Sequence, residues 1–180
     1  MKTRRIGASI AALTLALTMT ACSSSDNGEI VKNDTTVTTT TTTPAAEAAT
    51  EASEPKLGDT YQWDDGLAVT ISAPTPLTLS DGMDQIYDLS TGTPLAFDVT
   101  VVNGTEKDLD SIGFTSQMLS GSQQAEQIFD TAAGIDMPTV TVSAGNTLTY
   151  KIAFLVPDEN DIQLSWDALD FDHDQIQFTN

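Results

Sequence analysis

Leu95-Ala96-Phe97-Asp98-Val99-Thr100-Val101-Val102-Asn103-Gly104 alternates large apolar side chains with small or polar ones and then breaks at Asn-Gly. Successive side chains on a strand point to opposite faces, so Leu95, Phe97, Val99 and Val101 share one face and belong against a core. Asn-Gly tolerates the left-handed backbone that a tight turn needs, so the strand ends there. The same period recurs on both sides. Leu67, Val69 and Ile71 alternate with Ala68, Thr70 and Ser72, and the run from Leu148 to Val156 alternates in part with Thr147, Thr149 and Lys151. Ile162, Leu164 and Trp166 form a fourth set, and Ile176 with Phe178 a shorter fifth. Residues 60–63, 112–119 and 124–129 are expected as further strands.

Turn residues separate these runs. Asp65-Gly66 and Ala144-Gly145-Asn146 mark connections, and Pro74, Pro76, Pro94, Pro138 and Pro157 fall at run edges, where a missing N–H does least harm. Residues 80–93 are the longest loop, polar and acidic, with room for a short helical turn. No segment sustains a helical period. Short alternating strands at these intervals predict an all-β, antiparallel β-sandwich over residues 57–180, a size that supports one core.

Residues 1–21 have a different character. Lys2, Arg4 and Arg5 precede an apolar run from Ile6 to Leu17, and Met19-Thr20-Ala21-Cys22 follows. A basic start, a short apolar run and small residues before a cut make a secretory signal, too short to span about 30 Å of hydrocarbon. The last four residues resemble a lipobox, the bacterial lipoprotein processing site, and the resemblance implies a diacylglyceryl group on Cys22 as the new N-terminus. Two acyl chains suffice for a stable anchor on the outer face of a membrane. Cys22 is the only cysteine, so no disulfide can form. The Arg4-Arg5 pair is only a weak match to a twin-arginine leader.

Between Cys22 and Lys56 the chain is mostly Thr, Ala, Glu and Ser, with a run of threonines before Pro44. Such composition buries too little apolar surface to offset ordering entropy, so residues 22–56 are expected as a disordered tether. As a coil it would reach about 30–35 Å. Fully stretched it would reach roughly 115 Å. The threonines are either O-glycosylated or a bare spacer.

The whole chain carries a formal charge of −19, and loss of the leader leaves four lysines against 26 acidic residues. Nucleic-acid binding needs clustered Lys and Arg, which the chain lacks, and anionic surfaces are repelled within a Debye length of about 8 Å. Cations, basic proteins or neutral sugars fit as partners, or the acidity serves solubility alone.

Leu57-Gly58-Asp59-Thr60, Gly66-Leu67-Ala68-Val69-Thr70-Ile71, Phe97 to Asn103, and Ser143-Ala144-Gly145-Asn146-Thr147 leading to Ala153-Phe154-Leu155-Val156-Pro157 resemble a family of Ig-like extracellular domains of unknown function in Gram-positive lipoproteins. That family is related to a secreted immunogenic mycobacterial protein. The resemblance implies an Ig-like sandwich of about 7–8 strands. It carries no catalytic residue, and the segment from Asp167 to Asn180 departs from its pattern.

Candidate chemistry is sparse. His173, the only histidine, lies between Asp172 and Asp174 and reads as a solvated surface residue, so no hydrolase triad is expected. Asp170, Asp172 and Asp174 would share one face of an extended strand, a Ca²⁺ candidate to which Asp167 and the loop Asp81-Gly82-Met83-Asp84 could add ligands. An EF-hand is excluded because Gln175 stands where its Gly belongs. No other cofactor is expected. Trp63 and Trp166 fit strand phase and read as core rather than a sugar platform.

Three functions remain open. The first is a non-enzymatic surface domain that binds an extracellular protein or wall glycan. The second is a structural or antigenic component, and the third a carboxylate hydrolase. Exposed apolar loop residues would favour binding, and a uniformly charged surface the structural role. A cleft with two carboxyls about 5–10 Å apart would favour hydrolysis.

Overall fold

The computed structural model describes residues 28–32, 54–170 and 172–180. The leader, Cys22 and the Thr-rich run lie outside them. The described residues hold no α-helix. Their strands are β1 (Gly28–Val31), β2 (Thr60–Trp63), β3 (Leu67–Ile71), β4 (Thr75–Pro76), β5 (Thr93–Asn103), β6 (Leu109–Asp110) and β7 (Thr115–Ser120). Then come β8 (Gln123–Gln124), β9 (Glu126–Ile128), β10 (Thr141–Val142), β11 (Thr147–Val156), β12 (Ile162–Asp167) and β13 (Ile176–Thr179).

Two antiparallel sheets stack as a sandwich. One runs β1-β2-β3-β5-β11-β9, with β4 on β5, and the other runs β13-β12-β7-β8. The short pair β10-β6 bridges one end. The strand ending at Asn103 is the centre of the larger sheet: β5 pairs with β3 on one side and with all of β11 on the other. Its Phe97, Val99 and Val101 are fully buried, as are Leu164, Trp166 and Phe178 from the facing sheet. Each such side chain contributes about 1.5–3 kcal/mol by leaving water.

The alternation expected along β11 holds only in its first half. Thr147, Thr149 and Lys151 are exposed, but Ile152 to Val156 are buried on both faces. The reason is a second small core. The segment after β4 folds over the outer face and brings Leu77, Leu79, Met83 and Tyr87 against Ala96, Ala153, Leu155, Ile128 and Ile135. The expected helical turn in that loop is a 3-10 turn at Met83–Gln85. Asp130, only 3 % exposed, fastens the flap by accepting the Ser80 N–H at 2.7 Å and the Ala133 N–H at 3.2 Å.

Two expected strands are interrupted. Residues 111–113 form a 3-10 turn capped by Asp110, whose carboxylate accepts the Ile112 N–H, and β7 starts only at Thr115. The stretch 124–129 divides at Ala125, whose N–H goes to Met118 O. There the chain crosses between sheets, so β8 lies on β7 and β9 on β11. The turn glycines are required by contact. Gly66, at φ +98, abuts Gly104, whose N–H donates to the Gly66 carbonyl at 3.1 Å, and a side chain on either would strike the other's backbone.

The expectation of an unstructured tether over 22–56 fails at both of its described pieces. Gly28–Val31 adds a strand to the edge of β2. Pro55 is buried, and its carbonyl accepts the Thr179 N–H at 3.0 Å. Composition averages over the segment hid the short apolar pair Ile30-Val31, which has a ready edge to pair with.

Candidate functional site

The β2–β3 turn carries Asp64 and Asp65, the turn after β5 carries Thr105 to Lys107, and the segment before β13 carries Asp172 and His173. Together they line a cleft at one pole of the sandwich. His173 is not the solvated residue expected. Its side chain is 5 % exposed, with the ring edge-on to Trp63 at 5.3 Å. Nδ1 faces the Asp170 carboxylate at 2.7–2.8 Å, and Nε2 faces Asp65 Oδ2 at 3.0 Å. Only the doubly protonated ring donates to both. This unit clasps the segment before β13 to the β2–β3 turn, a contact 108 residues apart in sequence. No periodicity in the sequence signals such a pairing.

The clasp also engages two of the three aspartates of the calcium candidate. Asp170 is committed to His173, Asp172 to Lys107 Nζ at 2.9 Å, and Asp174 is exposed. The Lys107 contact holds the Asp172 carboxyl below the usual carboxylate range, and the same contact raises Lys107. The three aspartates do not converge, and among the described residues no three His, Cys, Asp or Glu side chains are grouped to hold a metal ion. Asp65 and Asp170 have an imidazole between them, not an open space for a sugar. The nearby Thr105 hydroxyl is occupied too, donating to Asn103 Oδ1 at 2.8 Å and accepting the Lys107 N–H at 3.1 Å.

Both tryptophans are core residues, Trp63 4 % and Trp166 0 % exposed, so neither offers a stacking face. Their rings meet at 5.9 Å between the sheets.

A different surface is apolar. Strand β9 pairs with only Ala153 to Leu155 of β11, so that among the described residues no strand pairs with the first six residues of β11 on that side. A groove occupies the vacant position. It is lined by Tyr150 and Ile152 of β11, Ile128, Phe114 to Ser116, and the exposed Phe129 and Met137. Phe129 and Met137 are 44 % and 48 % exposed. Val140 and Ile112, also exposed, follow, joined where the Val140 N–H donates to Ser111 Oγ at 2.8 Å. Large apolar side chains held in water on a chain this acidic favour a binding role. The signal was available in Ile135-Asp136-Met137-Pro138-Thr139-Val140, a loop too apolar for its place, but it has no period.

No protein-family profile matches the sequence, and no curated protein matches it. Solved structures do. The fold is similar to YcdA of Bacillus subtilis subsp. subtilis str. 168, a candidate lipoprotein, with a TM-score of 0.51 and 18% identity over 64% of this chain. The chain spans 36% of YcdA's length. It is also similar to the YjhA protein of Bacillus subtilis, with a TM-score of 0.53 and 17% identity, covering 69% of this chain and 98% of that one. An uncharacterized β-sandwich protein of Clostridium difficile 630 aligns at a TM-score of 0.40 and 13% identity, over 74% of this chain and 99% of that one.

Proposed function

We propose that this chain is a lipid-anchored surface protein whose Ig-like domain, acting without catalysis, binds an extended segment of an extracellular protein in the groove beside β11. Support for the Ig-like assignment comes from strand order. Taking β3, β5, β7, β9, β11, β12 and β13 as strands A to G, the larger sheet contains A-B-E-D and the smaller G-F-C, the constant-domain arrangement. Support for the anchor comes from the leader and Cys22, together with the likeness to a candidate lipoprotein.

The observation that carries the binding role is the stretch of β11 from Thr147 to Ile152, which among the described residues has no strand on its β9 side. An extended peptide laid along Tyr150 to Ile152 would prolong β9, gaining main-chain hydrogen bonds while its side chains meet Phe129 and Met137. An apolar rim and no exposed tryptophan favour a protein over a wall glycan, and the acidic surface favours a basic one.

Proximity labelling from the intact lipoprotein on living cells tests this. A Phe129→Asp/Met137→Asp variant with an unchanged melting temperature is the comparison. Particular proteins labelled by the wild type should fall about tenfold or more with the variant, as expected for lost apolar anchors. Identical labelled sets would remove the groove as the recognition surface.

A further inference from the structure

We infer that the domain stands next to the membrane with its Trp63 pole toward the lipid, and that residues 33–53 are an excursion beginning and ending on the domain, not the spacer beneath it. This rests on the lipid at Cys22. The register of β1 carries it: Gly28 lies opposite Trp63, Glu29 opposite Gln62, Ile30 opposite Tyr61 and Val31 opposite Thr60. The chain therefore arrives at the Trp63 end of the edge strand and leaves from the Thr60 end. It is fixed again at Pro55 and Leu57, whose carbonyl and N–H bond Thr179 N–H and O.

The seat is selective. Ile30 packs against the main core. A β-carbon on Gly28 would run into the Tyr61 ring, so glycine is needed where the strand passes under it. Tyr61 is itself 4 % exposed and set edge-on to Trp63 at 4.8 Å, so it has little freedom to move aside.

Chain length then fixes the stand-off. Gly28 lies six residues after Cys22, at most roughly 20 Å of extended chain. A spacer running to Lys56 would instead allow roughly 115 Å. The ten residues of β11 make the sandwich about 33 Å long, so on this leash the domain cannot stand on its far pole, the turn Asp158 to Asp161, with Gly28 uppermost. The pole that faces the lipid carries Asp64, Asp65, Glu106 and Asp172. Those charges hold it off anionic headgroups within a Debye length of about 8 Å. A partner of this domain is met close to the membrane surface, not at the outer limit of the wall.

Energy transfer measures the height. A donor on Glu159→Cys at the far pole and acceptor lipids in vesicles are used with the full lipoprotein, its acylation verified by mass. Replacing residues 33–53 with about eight Gly and Ser, enough for roughly 27 Å, leaves the transfer efficiency unchanged if they are an excursion. A Gly28→Val/Ile30→Asp variant, which unseats β1, lowers it as the domain moves out on the longer chain. A rise in efficiency on shortening overturns the inference, as does no change on unseating β1. Amide exchange on the unlipidated mature chain (Cys22→Ser) reads the strand apart from any lipid. Slow amides at residues 29–31 are expected, and free exchange there overturns the inference even where acylation is present.

Discussion

Trp166 Nε1 donates a hydrogen bond of 2.9 Å to the Tyr150 hydroxyl, tying strand β12 of one sheet to strand β11 of the other. The indole is fully buried, and burial pushes the Tyr150 phenol up to about 12 despite the indole's opposing donation. Tyr150 also lines the groove, so one side chain joins the sheets and shapes the proposed recognition surface.

Tyr150→Phe leaves the Trp166 N–H buried without a partner, which costs about 1–3 kcal/mol. Urea unfolding should show that loss at neutral pH. Because the folded pKa lies above the unfolded one of 10.0, the phenol ionises first in the unfolded chain. Its contribution is complete below pH 10 and is lost as pH rises toward 12, about 2–3 kcal/mol in all. The variant should lack this component of the alkaline decline.

Asp130 gives the opposite slope. Its carboxyl is held below the usual carboxylate range, chiefly by the Ser80 N–H. The stability it contributes is present above the unfolded carboxylate pKa and is lost as pH falls through the lowered folded one. Asp130→Asn should flatten the acid side of the stability profile and speed amide exchange in residues 77–87, read by mass spectrometry.

The clasp should be mechanical and independent of metal. His173→Ala frees Asp65 and Asp170, at a cost on the order of 1–3 kcal/mol. It should also loosen residues 168–174 in exchange measurements. Calcium should leave the melting temperature unchanged, because Asp170 and Asp172 already face His173 and Lys107. A calcium-dependent rise would show that the aspartates rearrange around the ion.

Gly28→Val should expose the 28–32 segment to protease while the melting temperature changes little. The lost strand is four residues at a sheet edge. A large fall would mean that β1 is integral to the core.

What could be read from sequence was the part that repeats. Phe97, Val99, Leu164 and Phe178 announce their faces by a period of two, and the sandwich follows. The second core was hidden because Leu77, Met83 and Tyr87 reach it from an irregular loop. Strand β1 was hidden by its neighbours' composition. The clasp and the groove join residues distant in sequence: Asp65 with His173, Phe114 with Met137. Their meeting is set by how the strands are ordered, which no local pattern states.

The central claim is that the groove beside β11 is where this domain meets another protein. A photo-crosslinking residue at Met137, compared in living cells with one at Ile86, an exposed position off the groove, tests it most directly. The account predicts a discrete adduct from Met137 that Ile86 does not give and that Phe129→Asp abolishes. The same products from both positions, or none from Met137, would contradict it.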